Sequence, residues 1–182
     1  MARYQKYFLA LVPEGKLQDQ VTELKLLLKE EFNIKYALKS PAHITVKMPF
    51  SYNEQKENVL IGRLKDFVQN YDTMEMVIGG VKTFGDRVVY LNVEAGKDLY
   101  HFQSELKTFC KRELKLVDEL SDRNYHPHMT VAFKDLKKHP IPNIIKVLES
   151  KTISEKFVVN HLFLLIRQNG RWEICSKMEF RG

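Results

Sequence analysis

Two short segments set an imidazole and a hydroxyl two residues apart, each followed by valine: His43-Ile44-Thr45-Val46 and His128-Met129-Thr130-Val131. With six histidines and seven threonines in the chain, random order yields roughly 0.2 His-x-Thr segments, so two of them are a signal. On an extended strand, side chains two apart point the same way, about 6.5–7 Å from each other. Each segment then presents its ring and hydroxyl on one face and buries Ile44 and Val46, or Met129 and Val131, on the other. Two imidazoles flanking one phosphorus suit hydrolysis or transesterification of a phosphoester. A neutral ring deprotonates the attacking water or hydroxyl, and a protonated ring supplies the leaving group's proton. An imidazole pKa near 6.5 permits either task around neutrality, and each transfer is typically worth about 10²–10⁴ in rate. The threonine hydroxyls suit hydrogen bonding to the non-bridging oxygens as charge grows there. Nothing in this chemistry requires a metal, and nothing in the segments says whether His43 or His128 is the base.

Strands must carry both pairs, and the surrounding pattern supplies them. Tyr4 to Val12 reads as a strand ended by Pro13 and Gly15. Leu17, Val21, Leu24, Leu28 and Phe32 then recur at helical spacing. Ala42 to Phe50 reads as a strand between Pro41 and Pro49. A helix from Asn53 to about Tyr71 follows, then strands Met74 to Phe84 and Arg87 to Val93 joined by a Gly85-Asp86 turn. Leu99, Phe102, Leu106, Phe109 and Leu114 give another helical face, and His128 to Phe133 another strand. Ile141 to Leu148 suits a short helix, and Ile153 to Ile166 with Arg171 to Phe180 a final hairpin through Gln168-Asn169-Gly170. Laying residues 17–32 on 99–114 matches Leu17, Glu23, Leu24, Lys25, Lys29 and Glu31 with Leu99, Glu105, Leu106, Lys107, Lys111 and Glu113. Such self-similarity marks a repeated unit, spanning about 4–50 and 87–134 within a single two-lobed domain, 1–182. A pseudo-two-fold arrangement of the halves would set the two His-Thr pairs face to face across a cleft wide enough for an anion.

Composition narrows the alternatives. Hydrophobic residues make up 44% and charged residues 29% of 182, which supports a core and excludes a disordered tail. The uncharged run Phe157 to Ile166 falls short of the about 20 residues a membrane helix needs, and Tyr7 to Val12 is too short for a secretion signal. Cys110 and Cys175 stand isolated, as free thiols in a reducing cytoplasm do. The net charge of +6 suits nucleotides or RNA without selecting them. Lys47, four residues beyond His43 on the same face of a regular strand, either reaches phosphate or is solvated. Tyr125 and Phe84 either stack a base or pack in the core, and Arg123 either clamps phosphate or solvates its loop. His126 and His128 form a His-x-His pair with no third ligand nearby, so neither metal nor cofactor is expected. His101, His139 and His161 lack a following threonine and read as structural or surface residues. Lys134, Lys137 and Lys138 form a basic cluster, either a solvated loop or a patch that steers RNA.

The two His-x-Thr-x segments, one per half, resemble those of the 2H phosphoesterase superfamily, specifically the RNA 2',3'-cyclic phosphodiesterases also called 2'-5' RNA ligase-like proteins. The likeness extends to Tyr7-Phe8-Leu9-Ala10-Leu11-Val12-Pro13, Lys47, the Val81 to Phe84 run, Arg123 and Tyr125 before Pro127-His128, and the strands around Leu162 and Trp172. The resemblance implies an α+β fold of two pseudo-symmetric lobes of mainly antiparallel sheet, with outer helices and an active-site cleft between them. It implies that His43 and His128 are catalytic and that Thr45 and Thr130 bind phosphate. The implied reaction is opening of 2',3'-cyclic phosphates at RNA ends or in small cyclic nucleotides, leaving 2'-phosphates; the chain is expected to work as a cytoplasmic monomer, without metal or cofactor. Many members carry arginine five residues after the second motif histidine. Here Phe133 stands there and Lys134 follows; regular alternation would send Phe133 away from the cleft and Lys134 toward it as a substitute. Two alternatives stay open: a non-catalytic module that binds nucleotides or RNA ends in the same cleft, and 2'-5' RNA ligation through the same residues. Acid/base chemistry explains the intact pairs better than binding alone does.

Overall fold

Alternation in β1 (Tyr4–Leu11) is strict: Tyr7, Leu9 and Leu11 enter one apolar cluster, Phe8 and Ala10 another. A strand buried on both faces belongs in the middle of a sheet. In the computed structural model, which describes residues 3–136, 139–151 and 153–182, β1 pairs with β2 (Ile44–Asn53) on one side and β7 (His161–Gln168) on the other. With β8 (Arg171–Glu179) the first antiparallel sheet has the order β2-β1-β7-β8. The second, also antiparallel, has the order β5-β4-β3-β6, built from β3 (Met74–Phe84), β4 (Val88–Ala95), β5 (His128–Phe133) and β6 (Ser154–Val159). The protein is therefore α+β, with two four-stranded antiparallel sheets.

The helices cover these sheets crosswise. α1 (Lys16–Phe32) packs against β5, whereas α3 (Lys97–Arg112) packs against β2. α2 (Glu57–Val68) lies on β8 and α5 (Ile141–Glu149) on β3. α4 (Leu120–Arg123) is a single turn near β2. One apolar core, with Leu24 and Leu28 of α1, Phe102 and Leu106 of α3, Ile44 and Met129, runs through both sheets. Phe8, Ala10, Val12, Phe163 and Leu165 form the smaller cluster on the other face of the first sheet, with Trp172 against it. α1 ends where Asn33 turns left-handed (φ 55°) and its N–H reaches the Lys29 carbonyl, a favoured way to stop a helix. Asp135, just past β5, accepts the backbone N–H groups of Lys35 and Tyr36, both at 2.8 Å.

Most element boundaries agree with the sequence reading to within a few residues, including the Asn169-Gly170 turn with both residues at positive φ. The segment Ile153 to Ile166 differs. It breaks at Asn160 into β6, an edge of the second sheet, and β7, in the first. The chain changes sheets there, and the Asn160 carbonyl accepts the N–H of Phe180. Lys137 and Lys138 of the basic cluster lie outside the described residues.

Candidate active site

Both motif threonines sit beside a β-bulge. Ala10 pairs with Thr45 but Leu9 with Lys47, leaving Val46 as an extra residue. Tyr90 pairs with Thr130 but Val89 with Ala132, leaving Val131 extra. An extra residue reverses the alternation beyond it, and this overturns two expectations. Lys47, opposite Leu9, turns into the core instead of sharing a face with His43. It is 0% exposed, donates to the Val117 carbonyl at 2.8 Å, and ion-pairs with Asp122 and, at 3.6 Å, Asp118. Phe133, opposite Val88, shares the Tyr90–Thr130 face instead of leaving it. Lys134 lies past the strand end with φ 63°; its ammonium sits 4.5 Å above the Tyr36 ring centre and donates to the Tyr36 hydroxyl at 3.0 Å.

His43 lies immediately before β2, and His128 opens β5. Nδ1 of His43 is 2.7 Å from the Pro41 carbonyl oxygen, and Nδ1 of His128 is 2.7 Å from that of His126. A carbonyl can only accept, so Nδ1 carries the proton in each neutral ring and Nε2 keeps its lone pair. Both rings are thus oriented by the backbone two residues upstream. They are near enough for the charge of one to disfavour that of the other. His43 packs 4.9 Å from the Phe8 ring. Burial pushes its pKa down to about 4, against the opposing pull of the Pro41 carbonyl and with help from Lys25 and His128. His128 stands 5.0 Å from Phe84 and 5.3 Å from Tyr90. Burial lowers its pKa too, opposed by the His126 carbonyl and assisted by the His126 ring. α1 holds the approach to β2 from behind. The Gln18 amide both donates to and accepts from the Ala42 backbone, and the Lys25 ammonium donates to the Ser40 carbonyl at 3.1 Å.

Beside the His128 ring lies a hollow of about 250 Å³ whose lining includes Thr45, Met48, Phe84, Asn124, Tyr125 and His128 but, among the described residues, neither His43 nor Thr130. Met48 lines it because the bulge has flipped the strand. Phe84 stacks on Tyr90 at 4.3 Å and remains 39% exposed. The Tyr125 hydroxyl is buried without a hydrogen-bond partner, and burial drives its pKa up. Arg123, exposed at the end of α4, is not among the described residues lining the hollow. Sequence reasoning missed Tyr36 and Arg167, whose side chains meet. The Lys134 hydrogen bond, then the Arg167 guanidinium, hold the Tyr36 hydroxyl below its usual pKa despite partial burial. Positions 36, 134 and 167 share no spacing that could have signalled the contact.

Residues 13–171 match the family described as the 2'-5' RNA ligase superfamily. Among curated proteins, one from Geobacillus, provisionally named a phosphoesterase, is 24% identical over 172 residues, covering 93% of this chain and 92% of its own. A second with the same provisional name, from Bacillus cytotoxicus, is 24% identical over 173 residues, covering 93% of each. Among solved structures, Escherichia coli LigT complexed with 3'-AMP superposes with a TM-score of 0.69 at 15% identity, covering 99% of this chain and 100% of LigT. The TT0787 protein of Thermus thermophilus superposes with a TM-score of 0.69 at 15% identity, covering 97% of this chain and 98% of that one. At such identities the superpositions establish the fold. The match across residues 13–171 establishes the family, and the chain belongs to the 2'-5' RNA ligase superfamily.

Proposed function

We propose that this protein hydrolyses 2',3'-cyclic phosphates at RNA or nucleotide ends to 2'-phosphates, without metal, using His43 and His128 as base and acid. The observation that carries this reading is the matched pair of Nδ1–carbonyl bonds, on rings close enough to feel each other's charge. His43, the ring more strongly held neutral, takes a proton from water on Nε2 while the water oxygen bonds to phosphorus. The P–O3' bond breaks, and protonated His128 gives its Nε2 proton to the departing O3'. Thr45 and Thr130 donate to the non-bridging oxygens as they gain charge. Phe84 offers a stacking face for a base, and the unpartnered Tyr125 hydroxyl a hydrogen bond to its edge. Lys134, over the Tyr36 ring just past β5, supplies positive charge. We read residues 4–50 and 87–134 as two copies of one unit within a single domain, supported by the matching bulges and histidine contacts. The provisional phosphoesterase name of the relatives and the 3'-AMP held by LigT support a nucleotide substrate.

Incubation with 2',3'-cyclic nucleotides in the presence of chelator, with phosphorus NMR of the product, tests this. His43→Ala and His128→Ala should each cut turnover by about 10² or more with the circular dichroism spectrum unchanged. Full activity in both variants overturns the mechanism. Binding without product assigns the cleft to a non-catalytic module, and a 3'-phosphate product excludes the stated regiochemistry.

A further inference from the structure

Separate from the hollow beside His128, α1, the turn at Tyr36–Lys39 and β8 enclose another of about 340 Å³. Lys25, Lys39 and Arg171 line it, with Trp172 on one wall and Glu173 as the carboxylate among the described lining residues. Lys25 is the unusual member. It is only 3% exposed, its ammonium has the Ser40 carbonyl as its hydrogen-bond partner, and no carboxylate pairs with it among the described residues. A buried ammonium without a counter-ion is costly, and one in the wall of a hollow is poised to receive an anion. Arg171 is anchored by donating to the Leu38 carbonyl at 2.9 Å, which leaves most of its guanidinium donors for a ligand. Lys39 sits 4.6 Å above the Tyr36 ring centre.

We propose that this hollow is a binding site for a phosphate dianion, either inorganic phosphate or a phosphomonoester. Three positive side chains against one negative leave two positive charges to meet it, and a phosphate group carries about −1.5 to −2 at pH 7. Burial lowers the Lys25 pKa to about 8, so the ammonium is still charged near neutrality. None of the proposed catalytic side chains lines this site, but Lys25 also helps lower the His43 pKa, so occupancy is read from Trp172 and calorimetry and not from turnover.

The chain's single tryptophan, Trp172, reports on the site directly. In a Thr45→Val/Thr130→Val background, which removes the proposed phosphate donors of the cleft, inorganic phosphate should change Trp172 fluorescence saturably, with one equivalent bound by calorimetry. Lys25→Met should weaken binding by about tenfold or more, since a charge-assisted hydrogen bond is lost. Arg171→Gln, at an exposed position, should weaken it by about threefold or more on the same ground, a second readout independent of the buried position. The site is disproved by the absence of saturable binding or by unchanged affinity in the variants. Dimethyl phosphate binding as tightly as inorganic phosphate would overturn the dianion assignment. Turnover of cyclic phosphates by the wild-type chain is measured separately, so failure of the cleft reading and failure of this site give different results.

Discussion

His43 and His128 make the same backbone contact but do not have the same environment. Burial pushes the His43 pKa down to about 4, with the Lys25 charge adding to the shift and Phe8 packed against the ring. His128 meets the stacked Phe84–Tyr90 pair edge-on and is lowered as well, chiefly by burial. The base must be unprotonated, so kcat/KM should rise as pH climbs through the His43 value. The acid must be protonated, so kcat/KM should fall as pH passes the His128 value, which lies below the ordinary 6.5. The expected profile of kcat/KM between pH 4 and 9 is a bell centred on the acid side of neutrality, and a maximum above pH 8 would contradict this division of roles. The motif residues themselves were legible because His-x-Thr spacing is local. The preference for His43 as base was not, because the burial that chiefly lowers its pKa comes from tertiary packing.

At the scale of the element, the bulges after Thr45 and Thr130 decide what reaches the site. Each keeps the threonine on one face and sends the next pair of residues elsewhere. Lys47 illustrates the consequence. Its ammonium is held by Asp122, Asp118 and the Val117 carbonyl, while Asp122 also accepts the N–H groups of Met48 and Glu119. These contacts tie β2 to α4 and to the loop before it. Lys47→Met leaves the Asp122 carboxylate buried without its cation, a loss of about 3–5 kcal/mol in comparable buried pairs. Thermal unfolding should show a sharply lowered midpoint, whereas KM measured well below that midpoint should stay near wild type. Unchanged stability with a raised KM would return Lys47 to the substrate site. The strands carrying these features were readable from alternation, but the bulges were not. An extra residue leaves a run such as Thr45-Val46-Lys47 looking like ordinary strand sequence, and only the register against β1 exposes it.

Across the whole molecule, burial of ionisable groups should tie stability to pH in two windows. The folded-state pKa of His43 lies near 4, below the ordinary 6.5. Between these values the unfolded chain binds more protons, so stability should fall as pH drops from 6.5 toward 4. Lys25 has a folded value of about 8 against an ordinary 10.5. By the same reasoning its cost is fully present below about pH 8 and is relieved as pH rises toward 10.5. Lys25→Met should therefore stabilise the protein at pH 7, by up to roughly 3 kcal/mol from the size of that shift. Denaturant midpoints at several pH values for the wild type, His43→Ala and Lys25→Met measure both effects. A Lys25→Met variant less stable at pH 7 would show that the bond to the Ser40 carbonyl outweighs the burial cost.

The sequence by itself determined the His-Thr pairs, the strands that carry them, the helical faces of α1 and α3, and the Asn169-Gly170 turn. All of these depend on side-chain periodicity or local backbone preference within a few residues. Only the tertiary structure decided that Ile153 to Ile166 divides between two sheets, that Lys47 serves the core and Met48 the hollow, that Tyr36 meets Lys134 and Arg167, and that Lys25 stands behind His43. Those arrangements rest on pairing register and on contacts between residues far apart in the chain. Local periodicity carries no record of them, because the same run of residues suits either face of a sheet until a partner strand selects one.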